Sequence, residues 1–265
     1  MRCSPSTETL LPDFERSLRH VPEGRMAEGE RSDHYMGKEG SICVATHSRR
    51  RFGFTGCKDE YLVVPAETEV SGAVFPVDEI CIGAFQSCDN LRHVVLMDGI
   101  EIIGATAFSC CTHLKSITLP DTIKYIGDNA FANCHQLCDI QIPGRVSTIS
   151  EEAFSRCVSL KRAKLGNGTK VIGNRVFYDC IDLEEVILPD TLRQIYDEAF
   201  WGCTSLEKIT LPASVAQIRS NAFRNCSSLK EICFKGTKAQ FLDAIRGVWI
   251  GLPLKAKVVC SDGEL

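Results

Sequence analysis

A phenylalanine returns every 23 residues from Phe85 to Phe223, through Phe108, Phe131, Phe154, Phe177 and Phe200, with no insertion or deletion between the first and the last. Six of the seven follow an alanine. Three residues beyond each lies a cysteine (Cys88, Cys111, Cys134, Cys157, Cys180, Cys203, Cys226), and three beyond that a leucine (Leu91, Leu114, Leu137, Leu160, Leu183, Leu206, Leu229). A strict period of this length marks a solenoid, in which each unit buries its apolar face only by stacking on its neighbours. Residues 80–234 therefore read as seven repeats of 23 residues.

Within a repeat, Leu114-Lys-Ser-Ile-Thr-Leu-Pro120 places Ile117, Thr118 and Leu119 in alternation and ends at a proline, which donates nothing to a ladder. It reads as a short strand, and its copies should stack into a parallel sheet along one face. Pro120-Asp-Thr, Pro189-Asp-Thr and Pro212-Ala-Ser supply turn chemistry. The return path through Ile123, Ile126, Ala130 and Phe131, spaced by three or four, suits a tight 3₁₀ or irregular course. Each coil is expected to bury about seven apolar side chains, and Phe131 and Phe154 to lie at its centre.

The repeat unit Leu-x-x-Ile-x-Leu-Pro, Ile-x-x-Ile-Gly-x-x-Ala-Phe, Cys-x-x-Leu resembles the BspA-type leucine-rich repeat, common in bacterial surface and gut-associated proteins. The likeness covers about residues 42–265. Phe54-Thr-Gly-Cys-Lys-Asp with Leu62-Val-Val-Pro65 resembles that family's opening segment, and Phe234-Lys-Gly-Thr-Lys-Ala-Gln-Phe241 with Val259-Cys-Ser-Asp-Gly263 its closing one. The resemblance implies a right-handed leucine-rich repeat superhelix, a parallel β-sheet on one face and short 3₁₀ or irregular segments on the other. It also implies a role in binding proteins, including adhesion to host or matrix components in some members, and no enzyme activity. Ser150, Tyr196 and Arg219 depart from the family glycine, and Met97, Gly166 and Lys235 from its proline.

Outside the repeats, residues 1–40 combine prolines, glycines and mixed charge in the manner of a flexible tail, with one helical island at Leu11, Phe14, Leu18 and Val21. Residues 41–79 read as a degenerate N-terminal cap, since an open end would leave backbone groups unpaired. Residues 235–265 read as a C-terminal cap, with Lys238–Ile245 as a helical turn or two that packs Phe241 and Ile245 inward, and a last strand at Lys257–Cys260.

Charge and cysteine usage bound the partners. With 30 basic against 34 acidic residues there is no basic stripe for phosphate apart from Arg49-Arg50-Arg51, so nucleic acid is not expected. No apolar run approaches the ~20 residues that cross a bilayer. No hydrophobic segment near the start reads as a signal peptide, so the chain as written is expected in the cytoplasm, and at the cell surface or secreted if a leader is missing.

Seven of the 15 cysteines belong to the repeat and are expected to form a ladder of buried thiols bonded weakly to backbone. The other eight form no Cys-x-x-Cys pair, and no metal, cofactor or catalytic residue is assigned. Cys134-His135 and Cys111-Thr-His113 read as structural cysteines beside surface turns.

The outward column His93, Ser116, Asp139, Arg162, Glu185, Lys208, Glu231 alternates in sign from Asp139 and should satisfy itself. The candidate partner-binding residues lie beside the phenylalanines: Tyr178, Trp201 and Arg224 follow them directly, with Tyr196 and Arg219 at the usual glycine position. Aromatic and arginine side chains dominate interface hot spots, although Trp201 could equally fold over the coil edge for structural reasons. The expected function is a non-enzymatic protein-binding scaffold with another protein as partner. The alternative is a bacterial surface adhesin for host or matrix proteins. An enzyme would need a site in the irregular N-terminal region, where the spacing leaves the period.

Overall fold

The computed structural model describes residues 60–70 and 72–265, with the two strands Tyr35–Met36 and Ile42–Val44. The helical island around Phe14 and the Arg49–Arg51 triplet fall outside these residues; of the expected flexible tail, residues 1–40, only Tyr35–Met36 is described, and it is a strand paired antiparallel with Ile42–Val44.

The chain winds as a parallel β-solenoid of about eight turns. One face carries the Leu-x-x-Ile-x-Leu strands: Tyr61–Val64, His93–Leu96, Ser116–Thr118, Asp139–Ile142, Arg162–Leu165, Glu185–Ile187, Lys208–Leu211, Glu231–Phe234 and Lys257–Cys260. Their register follows the period, Asp139 opposite Arg162 and Arg162 opposite Glu185. Side chains alternate: Ile140 and Ile142 are buried while Asp139 and Gln141 face solvent.

The opposite side holds a second ladder of two-residue strands, Ile102–Ile103, Tyr125–Ile126, Thr148–Ile149, Val171–Ile172, Gln194–Ile195 and Gln217–Ile218, one isoleucine of each pointing inward. At its N-terminal end Ala73–Ile80 joins this ladder, pairs in parallel with Ile42–Val44 and forms an antiparallel hairpin with Glu67–Val70. At the other end helix α1 (Lys238–Ala244) starts from a capping box between Thr237 and Gln240 and buries Phe241, while Ile245 packs partly buried against the core. Strand Lys257–Cys260 then adds to the first face and turns back into Gly263–Glu264.

The expected 3₁₀ course around each phenylalanine takes the form of successive turns. Cys134 N–H bonds to the Phe131 carbonyl and Leu137 N–H to that of Cys134, each three residues back. The residues two before and two after Phe131, Asn129 and Asn133, are left-handed (φ 55° and 61°), and the same positions repeat as Glu152 and Arg156, Arg175 and Asp179. A left-handed residue cannot continue a right-handed helix. It turns its N–H along the solenoid axis instead: Asn129, Phe131 and Asn133 donate to the carbonyls of Glu151, Ala153 and Ser155 in the next coil. The turns thereby become a third inter-coil ladder, with all donors aimed toward the C-terminus.

This close stacking explains the repeat glycine. A Cβ added to Gly127 would lie 2.5 Å from the Ala105 backbone nitrogen, so a side chain there demands that the neighbouring coil give way. Inside, a coil buries Leu114, Ile117, Ile123, Ile126, Ala130, Phe131 and Cys134. The seven phenylalanines form one offset stack with centroids 5.1 to 5.8 Å apart.

Candidate functional site

The residue that directly follows each repeat phenylalanine sits at the edge of the coil. In the first coil it is the exposed Gln86, and in the next three it is small and buried: Ser109, Ala132 and Ser155. The next three carry Tyr178 and Trp201, both half-buried, and then Arg224, exposed. The 23-residue register aligns them, and they stack. The Tyr178 and Trp201 rings lie 6.0 Å apart at 20°, and the Arg224 guanidinium sits 4.6 Å from the Trp201 centroid.

The stack extends at both ends. The Arg175 guanidinium lies 5.9 Å from the Tyr178 ring, and Trp249 of the C-terminal cap lies 5.9 Å on from Arg224. Trp249 is 62 % exposed, the more open of the two tryptophans, and no repeat position pointed to it. Its place follows from the backbone. Asn221 and Phe223 continue the inter-coil ladder by donating to the Trp249 and Ile250 carbonyls, so the cap loop stands where an eighth coil would pass. Gly251 closes this loop at φ +81°, where an added Cβ would fall 2.6 Å from that of Arg224.

Tyr196 and Arg219 make a separate pair. Arg219 stacks 4.4 Å over the Tyr196 ring and reaches Asp197 at 4.0 Å, while Tyr196 Oη contacts Gln194 Oε1 at 3.4 Å. Arg219 Nε is buried without an acceptor. Among the described residues no ring contact or ion pair joins this pair to the first stack. The five candidate residues therefore fall into two groups: Tyr178, Trp201 and Arg224 together, Tyr196 and Arg219 apart.

The outward column of the strand face satisfies itself in part. Arg162 pairs with Asp139 at 2.7 Å, Lys208 with Glu231 at 2.6 Å, and Lys257 with Glu264 at 3.0 Å. His93 stacks on Tyr61 at 4.8 Å and shares a 2.8 Å hydrogen bond with Ser116. Burial, then the charges of Lys115 and Arg92, hold its pKa below the usual value.

Six ladder thiols point inward, each donating to the phenylalanine carbonyl of the preceding coil, from Cys111 to Phe85 at 3.0 Å through Cys134, Cys157, Cys180 and Cys203 at 3.2 Å to Cys226 on Phe200 at 3.0 Å. Burial pushes the Cys111 and Cys157 thiols up to about 12 and those of Cys134, Cys180 and Cys203 well above their ordinary value. His113 is held by Thr112 and His135 is exposed, so neither makes a dyad with its neighbouring cysteine. The seventh member departs from the ladder: Cys88, expected as a free thiol, is disulfide-bonded, as is Cys81. Both belong to the first coil, where no preceding repeat supplies a phenylalanine carbonyl for the sulfur.

No helix among the described residues is long and apolar enough to cross a membrane. Groups of three or more metal-ligating side chains are likewise absent among them.

Known proteins give the architecture its context. No curated protein matches the chain. Among solved structures, a leucine-rich cell surface protein from Faecalibacterium prausnitzii is 28 % identical, with a TM-score of 0.66 over 80 % of this chain. The chain spans 55 % of the length of that protein. The leucine-rich repeat protein of T. pallidum is 26 % identical, also with a TM-score of 0.66, over 86 % of this chain and 100 % of its own. The family model for the BspA-type leucine-rich repeat region matches residues 66–181 and 147–243 in six copies. With repeat sequence and solenoid in agreement, the chain belongs to the BspA-type leucine-rich repeat family.

Proposed function

We propose that the chain is a non-enzymatic scaffold that binds another protein through the edge where Tyr178, Trp201 and Arg224 stack, with the Tyr196 and Arg219 pair as a second contact. The observation that carries this reading is the change of residue type at one repeat position. Ser109, Ala132 and Ser155 fill it with the small side chains that a closed edge needs. Tyr178, Trp201 and Arg224 then place aromatic and guanidinium groups, half-buried or exposed, in one line. A fold that needed only closure has no use for such side chains there, and these are the residue types that concentrate binding energy in protein interfaces.

The test is affinity capture with the purified chain as bait, from its own cell lysate and separately from extracellular matrix proteins, with Trp201→Ala/Arg224→Ala as control. Capture lost in the variant supports the edge; a partner held equally by both proteins removes it.

Between the two settings, the disulfides of Cys81 and Cys88 favour the surface adhesin, because disulfides form and persist in oxidising compartments and are rare in the cytosol. The F. prausnitzii relative is itself described as a cell surface protein. Thiol alkylation before lysis of the native cells, followed by mass spectrometry, separates the settings: Cys81 and Cys88 unlabelled places the protein outside the cytoplasm, and both labelled places it within.

A further inference from the structure

Building on this edge, we infer that Arg224 is the receiver for a carboxylate and that the partner presents an acidic peptide segment to it. The arginine lies between two indoles, 4.6 Å from the Trp201 ring centroid and 5.9 Å from that of Trp249. Stacking occupies the flat faces of a guanidinium and leaves its in-plane N–H groups free to form the two-pronged bond that matches a carboxylate.

Those donors are unused. Arg162, Arg175, Arg219 and Arg246 each face a carboxylate of the chain itself: Asp139, Glu152 with Glu198, Asp197 and Asp243. Among the described residues, Arg224 has contacts to the two rings and no ion pair or side-chain hydrogen bond. Two ring contacts thus set its place while its charge meets no carboxylate among the described residues. Fixing a long side chain in advance lowers the entropy lost on binding, and indole surface beside the charge strengthens an ion pair relative to one in open water.

The stack does not suit a sugar platform at Trp201, because Tyr178 covers one face of that ring and Arg224 the other.

The chain has two tryptophans and both flank Arg224, so tryptophan emission, excited at the red edge where tyrosine does not absorb, reports on this site. The probe is an acetylated, amidated peptide of alternating alanine and glutamate, titrated beside its glutamine counterpart. The expected result is a saturable change with the glutamate peptide, weakened by added salt. Affinity for the glutamine peptide should be lower by about tenfold or more, the factor set by a hydrogen-bonded charge. Arg224→Gln should remove the response, while Trp249→Phe, which keeps a ring on the arginine, should preserve it through Trp201. An equal response to both peptides, no saturable response to the glutamate peptide, or a response that survives Arg224→Gln overturns the inference. A captured partner separates this failure from that of the edge: binding lost in Trp201→Ala but kept in Arg224→Gln sinks the carboxylate and leaves the edge, whereas binding kept in both sinks the edge itself.

Discussion

At the scale of single residues, two repeat positions carry opposite kinds of constraint. The ladder cysteines sit fully buried with their S–H groups committed to carbonyls. Ionising one requires placing a thiolate among phenylalanines, and burial accordingly pushes the Cys111 and Cys157 thiols up to about 12 from an ordinary value of 9.0. The sign follows from linkage. A folded-state pKa raised above the unfolded one gives stability that is complete below about pH 9 and is lost progressively as pH rises toward 12. Thermal melts from pH 7 to pH 11 should therefore show a steep fall in Tm above pH 9, and Cys157→Ala should lessen the slope although it lowers stability at pH 7. A slope unchanged in Cys157→Ala would assign the alkaline loss to other groups.

The left-handed residues show the second constraint. Arg156 holds φ at 58° in an exposed turn, in a conformation that costs a residue with Cβ about 1–2 kcal/mol. Arg156→Gly should leave stability unchanged or raise it, whereas Arg156→Val should lower it by about 1–2 kcal/mol, read from urea midpoints. At Arg156 itself neither effect was legible in the sequence. The column Ser87, Cys110, Asn133, Arg156, Asp179, Gly202, Asn225 holds Asn, Asp or Gly, the types that favour this conformation, in four of its seven copies, while inter-coil hydrogen bonds impose it on the other three. The Phe, Cys and Leu columns were legible because burial restricts residue type at every copy.

At the scale of elements, the C-terminal cap decides whether the candidate edge is complete. The loop that carries Trp249 is pinned by two backbone bonds, from Asn221 and Phe223, and by Gly251 packed on Arg224. Gly251→Ala should force this loop away. The expected outcome is a red shift of tryptophan emission and a loss of stability of about 1–3 kcal/mol, the range for strain from a side chain with no room. Thr237→Ala, which removes the helix cap at the other side of the same segment, should cost about 1 kcal/mol and leave the emission unchanged.

The contrast explains why Trp249 escaped the sequence reading. The 23-residue register ends at Phe223, and the loop rejoins the stack by backbone geometry that has no sequence period. Helix α1 and strand Lys257–Cys260 were readable in the same region, because each carries its own local pattern.

At the scale of the whole molecule, the systems that join the coils do not run equally far. The second-face ladder is continuous from Ile42–Val44 to Gln217–Ile218, and the phenylalanine stack from Phe85 to Phe223. The first face is interrupted twice, between Ser116–Thr118 and Asp139–Ile142 and between Glu185–Ile187 and Lys208–Leu211. At the first interruption the Cys138 N–H still reaches the Lys115 carbonyl, at 3.4 Å, so the coils stay in step with a weakened sheet. Cohesion between coils there rests on the second face, the turns and the phenylalanine column.

Because each coil touches only its neighbours, a lesion in that column is felt as a loss of coupling between the parts on either side. Phe154 stacks on Phe131 and Phe177 at 5.2 and 5.8 Å, midway along the column and between the two sheet interruptions. Phe154→Ala should cost about 3–5 kcal/mol. In native-state hydrogen exchange, the amides of Ile103 and Ile126 should part company from those of Ile195 and Ile218, two protection levels replacing one. A uniform fall across all four would mean that the second-face ladder alone keeps the array cooperative, and that the phenylalanines fill the solenoid without joining its halves.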